Sequence, residues 1–255
     1  MGVAVREFGK YPLPEGLSSG PELWLMRVPP ATDGLGAPGG TGSGTRGGGT
    51  LPTAAPTAAP TAADLEILDA EERRRTAALR RDSDRNLYVA AHVALRRLLG
   101  AYLNEDPAAL VFIREPCPGC GGPHGRPALT GHPLHFSLSH TRGGLALLGF
   151  ADRPVGVDIE ARPGREAIED ASLALHEAEQ ADLAALPPDA KAAAFSRCWT
   201  RKEAYLKGTG EGLAGKGGLQ TLVGTGPEPL PVPGWELTDV PVPEGFTAAC
   251  AVREA

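Results

Sequence analysis

An acidic residue and a lysine on one predicted helix have the spacing needed to do chemistry together. In Trp199-Thr-Arg-Lys-Glu-Ala-Tyr-Leu-Lys207, helical geometry places Trp199, Glu203 and Lys207 one turn apart on one face. The inward face of a plain amphipathic helix is apolar, so a carboxylate in this stripe is unusual. Two interpretations are open. The stripe is either an exposed Glu203–Lys207 ion pair, or a carboxylate that binds a metal or takes a proton beside a phosphate-binding lysine.

A second acidic pair lies upstream, in Val155-Gly-Val-Asp-Ile-Glu160. Asp158 and Glu160 are two residues apart on a predicted strand, so their side chains project from the same face. Two like charges side by side cost energy unless a cation or a proton lies between them. A solvated strand end is the alternative, but the apolar residues before Asp158 favour burial, where unpaired charges are expensive. A magnesium ion completed by water and phosphate oxygens fits these needs.

A cluster of arginines follows a predicted helix start at Asp69 and Glu72, which form a capping-box pattern. Considered alone, the arginines favour a solvated face balanced by neighbouring acids. The alternative is a site for a multiply charged phosphate ligand, because arginine forks match phosphate oxygens. A second helix is predicted from the Asp82-Ser-Asp84 segment to Gly100. The cluster consists of Arg73, Arg74, Arg75, Arg80 and Arg81.

The segment Cys117-Pro-Gly-Cys120-Gly-Gly-Pro-His124 combines two cysteines with a nearby histidine. This pattern is typical of half of a structural zinc site. Cys198 and Cys250 are isolated, and no second Cys-x-x-Cys follows, so the zinc ligand set is incomplete. The density of Gly and Pro predicts a loop, on which Arg126 offers a charge beside accessible backbone.

Composition limits the class of protein. The chain has 255 residues, is 42% hydrophobic and 22% charged, and carries a net charge of −6. These values predict a globular protein, with no nucleic-acid or membrane partner. The sequence has no signal-peptide or membrane-spanning pattern, and four cysteines make no disulfide framework, so we expect a cytoplasmic location. Residues 31–63 are rich in Gly, Pro, Thr and Ala, and we expect a disordered insert there.

The elements that must position these residues follow from hydrophobic periodicity. We expect a first strand, then the helices above, then an antiparallel meander of three strands. Two helical segments and two closing strands complete the chain. The predicted strands are Pro21–Val28, Leu134–Ser139, Gly144–Phe150, Val155–Glu160, Gly234–Val240 and Phe246–Val252, and the later helical segments are Ala167–Leu186 and Ala190–Lys207.

Four motifs in this order resemble the Sfp-type 4′-phosphopantetheinyl transferases. The segments around Asp158 and Glu203 are similar to that family's paired signature. Gly125-Arg126-Pro127 resembles its Gly-Lys-Pro element, with arginine in the lysine position. Phe136-Ser-Leu-Ser-His140 resembles its Phe-Asn-x-Ser-His element. The resemblance runs from about residue 69 to residue 252, so the low-complexity segment lies outside it.

The resemblance implies an α+β fold, a pseudo-dimer of two similar halves that we place at residues 1–152 and 153–255. It implies a monomeric Mg²⁺-dependent enzyme that moves the 4′-phosphopantetheine arm of coenzyme A to a serine of an acyl or peptidyl carrier protein. Two alternatives are a different magnesium-dependent phosphate enzyme and a non-catalytic, carrier-binding or zinc-ribbon-like module. No P-loop supports the first of these.

The resemblance also implies roles for individual residues. Asp158, Glu160 and Glu203 would hold the metal, with Glu203 and Lys207 acting in catalysis. Since a serine hydroxyl needs a base at neutral pH, we assign that role to Glu203, directly or through a metal-held water. The residues expected to contact coenzyme A are Arg73, Arg85, Gly125, Arg126, Pro127, Ser139, His140, Lys202 and Lys207.

Overall fold

Two long helices, each packed on its own β-sheet, organise the chain. The computed structural model describes residues 4–18, 20–28, 61–212 and 217–255. Helices α3 (Asp82–Leu103) and α6 (Pro188–Thr209) contain 22 residues each. Each helix shares a hydrophobic core with one sheet, α3 in the N-terminal part of the chain and α6 in the C-terminal part. This is the mixed α+β architecture that the sequence predicts.

The N-terminal sheet has four strands in the order β1-β2-β6-β5. Strands β1 and β2 are parallel, whereas β2–β6 and β6–β5 are antiparallel. A separate hairpin, β3–β4, carries the cysteine-containing loop between its strands. The strands are β1 (Val5–Glu7), β2 (Glu22–Arg27), β3 (Phe112–Arg114), β4 (Pro127–Leu129), β5 (His135–Thr141) and β6 (Leu145–Ala151).

The C-terminal sheet has three antiparallel strands in the order β7-β9-β8, namely β7 (Val155–Ala161), β9 (Phe246–Arg253) and β8 (Trp235–Asp239). The predicted three-strand meander is therefore wrong in its last step, because β7 pairs with β9 and not with β6. Strand β6 already pairs with β2 on one edge and β5 on the other, so it has no edge left for β7.

The alternation of side chains on β6 divides them between two cores. Ala146, Leu148 and Phe150 face α3, whereas Leu145 and Leu147 join a second core shared with the C-terminal sheet. All five are wholly buried. Because full burial of a leucine side chain contributes about 2 kcal/mol, this shared core holds the two sheets face to face.

Hydroxyl side chains of β5 form the contact with β7. The Val157 N–H donates to Ser137 Oγ at 3.0 Å, and the Ala161 N–H donates to Thr141 Oγ1 at 3.1 Å. These bonds satisfy β7 backbone groups that face β5. They bring the middle of β7, and with it Asp158, against Ser139 on β5.

Strand β7 and helix α6 approach each other at two glycines. A Cβ atom on Gly156 would overlap the Ala204 carbonyl oxygen and the Gly208 nitrogen of α6. Glycine at this position therefore lets the helix lie directly on the strand. The approach places Lys207, which precedes Gly208, beside Asp158.

Several predicted boundaries differ from the structure. Helix α1 (Ala62–Ile67) is capped by Thr61 and Asp64, so the predicted insert overlaps it, while residues 31–60 lie outside the described residues. The capping box of Asp69 and Glu72 is confirmed at the start of α2 (Ala70–Ala78). Helix α3 continues past Gly100 and ends at Leu103, and the next residue, Asn104, caps it in a left-handed conformation.

The later helical region also differs in detail. The predicted segment 167–186 is two helices, α4 (Arg165–Ser172) and α5 (Glu177–Ala185), because His176 caps a new helix start. Helix α6 extends the predicted 190–207 segment by two residues at each end. The proposed division at residue 152 falls in the turn between β6 and β7, and the pseudo-dimer stays a prediction. No helix in the described part of the chain has the length and apolar character to cross a membrane.

Candidate active site

Asp158 is the best-enclosed carboxylate of the predicted set, with an exposure of 1%. Its Oδ1 atom accepts a hydrogen bond from Ser139 Oγ at 2.8 Å and an ion-pair contact from Lys207 Nζ at 2.6 Å. Lys207 Nζ also lies 2.9 Å from Ser139 Oγ. The other oxygen, Asp158 Oδ2, is buried and has no hydrogen-bond partner. A buried carboxylate oxygen without a donor is costly, so it offers a coordination position for a cation.

Two further carboxylates lie close enough to Asp158 to feel its charge. Burial, then the Asp158 carboxylate and also that of Glu203 raise the pKa of Glu160, to about 7. Burial and Asp158 also raise the pKa of Glu203. The oxygens of the three carboxylates do not all lie within 4.8 Å of one another. The three acids are close enough to repel one another, and a divalent cation between them would draw their oxygens together.

A cavity of about 600 Å³ opens beside Lys207, which lines it together with His140, whereas the three carboxylates do not line it. Its walls come from α2, α3, the β3–β4 hairpin, β5 and the C-terminal end of α6. Burial and the neighbouring Arg75 lower the pKa of Arg114, and burial and Lys207 lower the pKa of His140. Because these groups repel further positive charge, an anion in the cavity would be stabilised. The basic side chains on its walls are Arg75, His92, Arg114, His124, Arg126, His140 and Lys207, and the acidic ones are Asp69, Glu72 and Glu71, which pairs with Arg75 at 3.0 Å.

Arg126 links the β3–β4 hairpin to helix α6. Its guanidinium donates to Glu115 Oε2 at 2.6 and 3.0 Å and to the Gly208 carbonyl oxygen at 3.0 Å. The Gly125 N–H donates to the Glu115 carbonyl oxygen at 2.9 Å. Gly125, Arg126 and Pro127 all line the cavity, so this short motif forms one of its edges.

Comparison with known proteins matches this same region. The model of the 4′-phosphopantetheinyl transferase superfamily matches residues 154–224, which include β7 and α6. The transferase HetI of Nostoc sp. is 34% identical over 176 residues, which cover 66% of this chain and 71% of HetI. A 4′-phosphopantetheinyl transferase of Bacillus subtilis is 31% identical over 153 residues, or 59% of this chain and 63% of that protein. This chain belongs to the 4′-phosphopantetheinyl transferase superfamily.

The family resemblance seen in the sequence is thus confirmed. In this member of the superfamily, the chain brings together Ser139 from β5, Asp158 and Glu160 from β7, and Glu203 and Lys207 from α6. Trp199, one turn before Glu203, instead stacks on Phe195 with ring centroids 5.8 Å apart and belongs to the α6 core. The individual roles given to the gathered residues stay predictions.

The position of Lys202 contradicts the prediction that this residue contacts coenzyme A. Its side chain is wholly buried and pairs with the equally buried Glu179, with Nζ and Oε2 2.6 Å apart. It also donates to the carbonyl oxygens of Leu219 and Thr221. One helix position turns a side chain by about 100°, so the neighbour of Glu203 points into the protein core and away from the cavity.

Arg73 and Arg85, predicted to contact coenzyme A, do not line the cavity. Arg73 donates to the Leu65 carbonyl oxygen at 3.4 Å, and Arg85 pairs with Asp82 at 2.6 Å. The arginine of α2 that reaches the cavity is Arg75, two residues and more than half a turn further along the helix. A shift of two residues along a helix is enough to place a side chain on the opposite face.

Three polar or charged residues of the cavity, Tyr88, His92 and Arg114, have no counterpart among the sequence predictions, and Arg75 is predicted only as one of five clustered arginines. Tyr88 and His92 are four residues apart on α3 and stack with ring centroids 3.8 Å apart. An aromatic pair at this spacing is the signal that could have identified them. Arg114 ends strand β3 next to the cysteine loop, and its isolated position in the sequence gives no comparable signal.

Proposed function

We propose that this protein transfers the 4′-phosphopantetheine moiety of coenzyme A to a serine of an apo acyl or peptidyl carrier protein. A bond forms between the serine oxygen and the phosphorus of the phosphopantetheine group. The pyrophosphate bond to the nucleotide breaks, and adenosine 3′,5′-bisphosphate leaves. The observation that carries the proposal is the environment of the buried Asp158. Its Oδ1 atom contacts Lys207 Nζ, its Oδ2 atom has no hydrogen-bond donor, and two further acids lie nearby.

The acidic residues fit a magnesium ion. Asp158 Oδ2 lacks a donor, and the raised pKa values of Glu160 and Glu203 reflect repulsion that a cation would remove. Asp158, Glu160 and Glu203 would hold the ion, and hard oxygen ligands of this kind suit Mg²⁺. When bound, Mg²⁺ neutralises charge on the pyrophosphate and on the leaving bisphosphate.

Two side chains of the protein orient the phosphates and accept the proton of the carrier serine. Lys207 Nζ, held between Asp158 and Ser139, orients the phosphates of coenzyme A. The carrier serine must lose its proton as it attacks, and Glu203 accepts it. Glu203 lies one helical turn before Lys207 on α6, so its carboxylate is close to the lysine that orients the phosphates.

The cavity supplies the nucleotide site. Arg75 and Arg114 both line it, and Arg75 is near enough to lower the pKa of Arg114, so the two bind the 3′-phosphate in place of Arg73 and Arg85. His140 lines the cavity with Lys207, whose Nζ atom bonds Ser139, and Gly125, Arg126 and Pro127 form the edge that would border the adenine. Membership of a transferase family favours this enzyme over the non-catalytic module considered above.

The test incubates the purified full chain with Mg²⁺, coenzyme A and several apo-carriers, and weighs each carrier by mass spectrometry. We expect at least one carrier to gain the mass of a phosphopantetheine group. The same carrier with alanine at the acceptor serine is the control and must stay unmodified. Replacing coenzyme A by ATP tests the rival phosphate enzyme. Modification with ATP alone, or no modification of any carrier, would overturn the proposal.

A further inference from the structure

A second cluster of possible metal ligands lies outside the acidic site, on the loop between β3 and β4. The Sγ atoms of Cys117 and Cys120 and a ring nitrogen of His124 all lie within 4.8 Å of one another. Among the residues that the structure describes, no other set of three His, Cys, Asp or Glu side chains meets that distance. The chemistry proposed for phosphopantetheine transfer uses none of these three groups.

The local backbone holds both sulphur atoms on the same side of the loop. The Gly121 N–H donates to the Cys117 carbonyl oxygen at 2.8 Å, and the Cys117 N–H donates to the Gly122 carbonyl oxygen at 2.7 Å. Gly121 has a φ of 72°, which a residue with a side chain rarely adopts. The tight turn after Cys120 therefore depends on a glycine. This turn reverses the chain direction, so that His124 contacts Cys120.

A backbone donor points at one of the two sulphur atoms. The Gly122 N–H donates to Cys120 Sγ at 3.4 Å. Hydrogen bonds of this kind stabilise a thiolate, which is the form of cysteine that binds a metal. Cys120 Sγ and His124 Nε2 are 3.0 Å apart, so the imidazole is already directed at the sulphur side of the loop.

We propose that Cys117, Cys120 and His124 bind one zinc ion, with water as the fourth ligand. Two thiolates balance the charge of Zn²⁺, and soft sulphur with imidazole selects zinc over magnesium. Cys117 is buried, whereas Cys120 and His124 are exposed, which leaves one side of the cluster open to solvent. The zinc site does not depend on the proposed transferase reaction.

The position of the cluster indicates what the zinc would do. The residue after His124 begins the Gly125-Arg126-Pro127 edge of the cavity, and Arg126 binds both Glu115 and the Gly208 carbonyl oxygen. A Cβ atom on Gly125 would overlap the Glu115 carbonyl oxygen, so the loop is closed tightly at its base. Zinc would close the same loop at its tip and so hold Arg126 in place from both ends. Its role is thus positional, and no zinc-bound group takes part in the reaction.

The test measures zinc directly. The full chain is purified under reducing conditions without chelator, and metal content is measured by inductively coupled plasma mass spectrometry. We expect about one zinc ion per chain. The variants Cys120→Ser and His124→Asn alter exposed residues, so they should fold while binding zinc at least about tenfold more weakly against a competing chelator. Circular dichroism checks folding, and His132→Asn and Cys250→Ala serve as controls that should keep the metal.

The main rival is a disulfide between Cys117 and Cys120. Thiol titration distinguishes the two, because a zinc site yields free thiols once the metal is chelated, whereas a disulfide yields them only after reduction. Cobalt substitution gives a further readout, since a Cys-ligated Co²⁺ shows sulphur-to-metal charge-transfer absorption. Zinc that persists in both ligand variants would overturn the proposal. So would a reduced protein that neither contains zinc nor takes it up from added zinc.

Discussion

Lys207 Nζ lies 2.6 Å from Asp158 Oδ1, although 49 residues separate them in the chain. The contact joins the end of α6 to the middle of β7, and the absence of a side chain on Gly156 lets the two elements approach. Asp158 is almost wholly buried, while about a third of the Lys207 side chain is exposed towards the cavity. The pair therefore links the protein interior to the place where an anionic substrate would bind.

The first prediction concerns Glu203 as the proposed base. Glu203→Gln keeps the shape of the side chain but cannot accept a proton. We expect carrier modification to fall by about 10²- to 10⁴-fold, while the affinity for coenzyme A falls much less. Mass spectrometry of the carrier and calorimetric titration of coenzyme A measure the two effects. Glu236→Gln, an exposed residue on β8, is the matched control. Near-normal turnover of Glu203→Gln would remove Glu203 from this role.

The second prediction concerns magnesium and Asp158. Because the folded protein would bind Mg²⁺ through Asp158, the ion should raise the free energy of unfolding, by about 2.7 kcal/mol at a hundred times its dissociation constant. Asp158→Asn should lose most of this stabilisation, whereas the exposed Asp152→Asn should keep it. Thermal melting with Mg²⁺ and with chelator measures the difference. An equal shift in both variants would place the ion elsewhere.

The third prediction separates the arginines of the cavity from their neighbours. Arg75→Ala and Arg114→Ala each remove a donor to the proposed 3′-phosphate, and a charged hydrogen bond contributes about 1.5–3 kcal/mol. We expect KM for coenzyme A to rise by at least about tenfold in both. Arg73→Ala and Arg85→Ala are matched controls, because neither residue lines the cavity. If these two variants raise KM as much, the cavity is not the nucleotide site.

The fourth prediction concerns the buried pair of Lys202 and Glu179. Lys202→Met leaves the Glu179 carboxylate buried without its cation, and breaking such a pair costs about 3–5 kcal/mol. Urea denaturation should show this loss, while the transfer rate per folded molecule stays close to that of the unmodified protein. Lys191→Met, in the first turn of the same helix, should cost less than about 1 kcal/mol. A folded Lys202→Met protein with normal stability but no activity would instead indicate a role in catalysis.

The fifth prediction concerns pH and His92. Burial lowers the pKa of His92 from 6.5 to about 4 in the folded protein. Between these values the unfolded chain binds more protons than the folded one, so stability falls as the pH is lowered from 6.5 to 4. The loss at His92 should be roughly 3 kcal/mol. His92→Gln should remove this part of the pH dependence in denaturation curves measured across the window. Identical slopes in the two proteins would contradict it.

The sequence by itself determined the family and most elements of the site. The spacing of Asp158 and Glu160 on a strand, and of Glu203 and Lys207 on a helix, depends only on local periodicity. For this reason the strands β5, β6, β7, β8 and β9 and the helix α6 were predicted nearly in place. The capping box at the start of α2 was predicted for the same reason, because its bonds lie within one turn of helix.

Only the tertiary structure decided which charged residues face the cavity and which lie in the core. Lys202 and Glu203 are neighbours in the sequence, yet Lys202 pairs with Glu179 inside the protein and Glu203 belongs to the acidic site. Likewise, Arg75 lines the cavity while Arg73 does not, and β7 pairs with β9, which follows it by more than 80 residues. Burial and strand pairing depend on contacts between distant segments, and local spacing carries no information about which distant segments will meet.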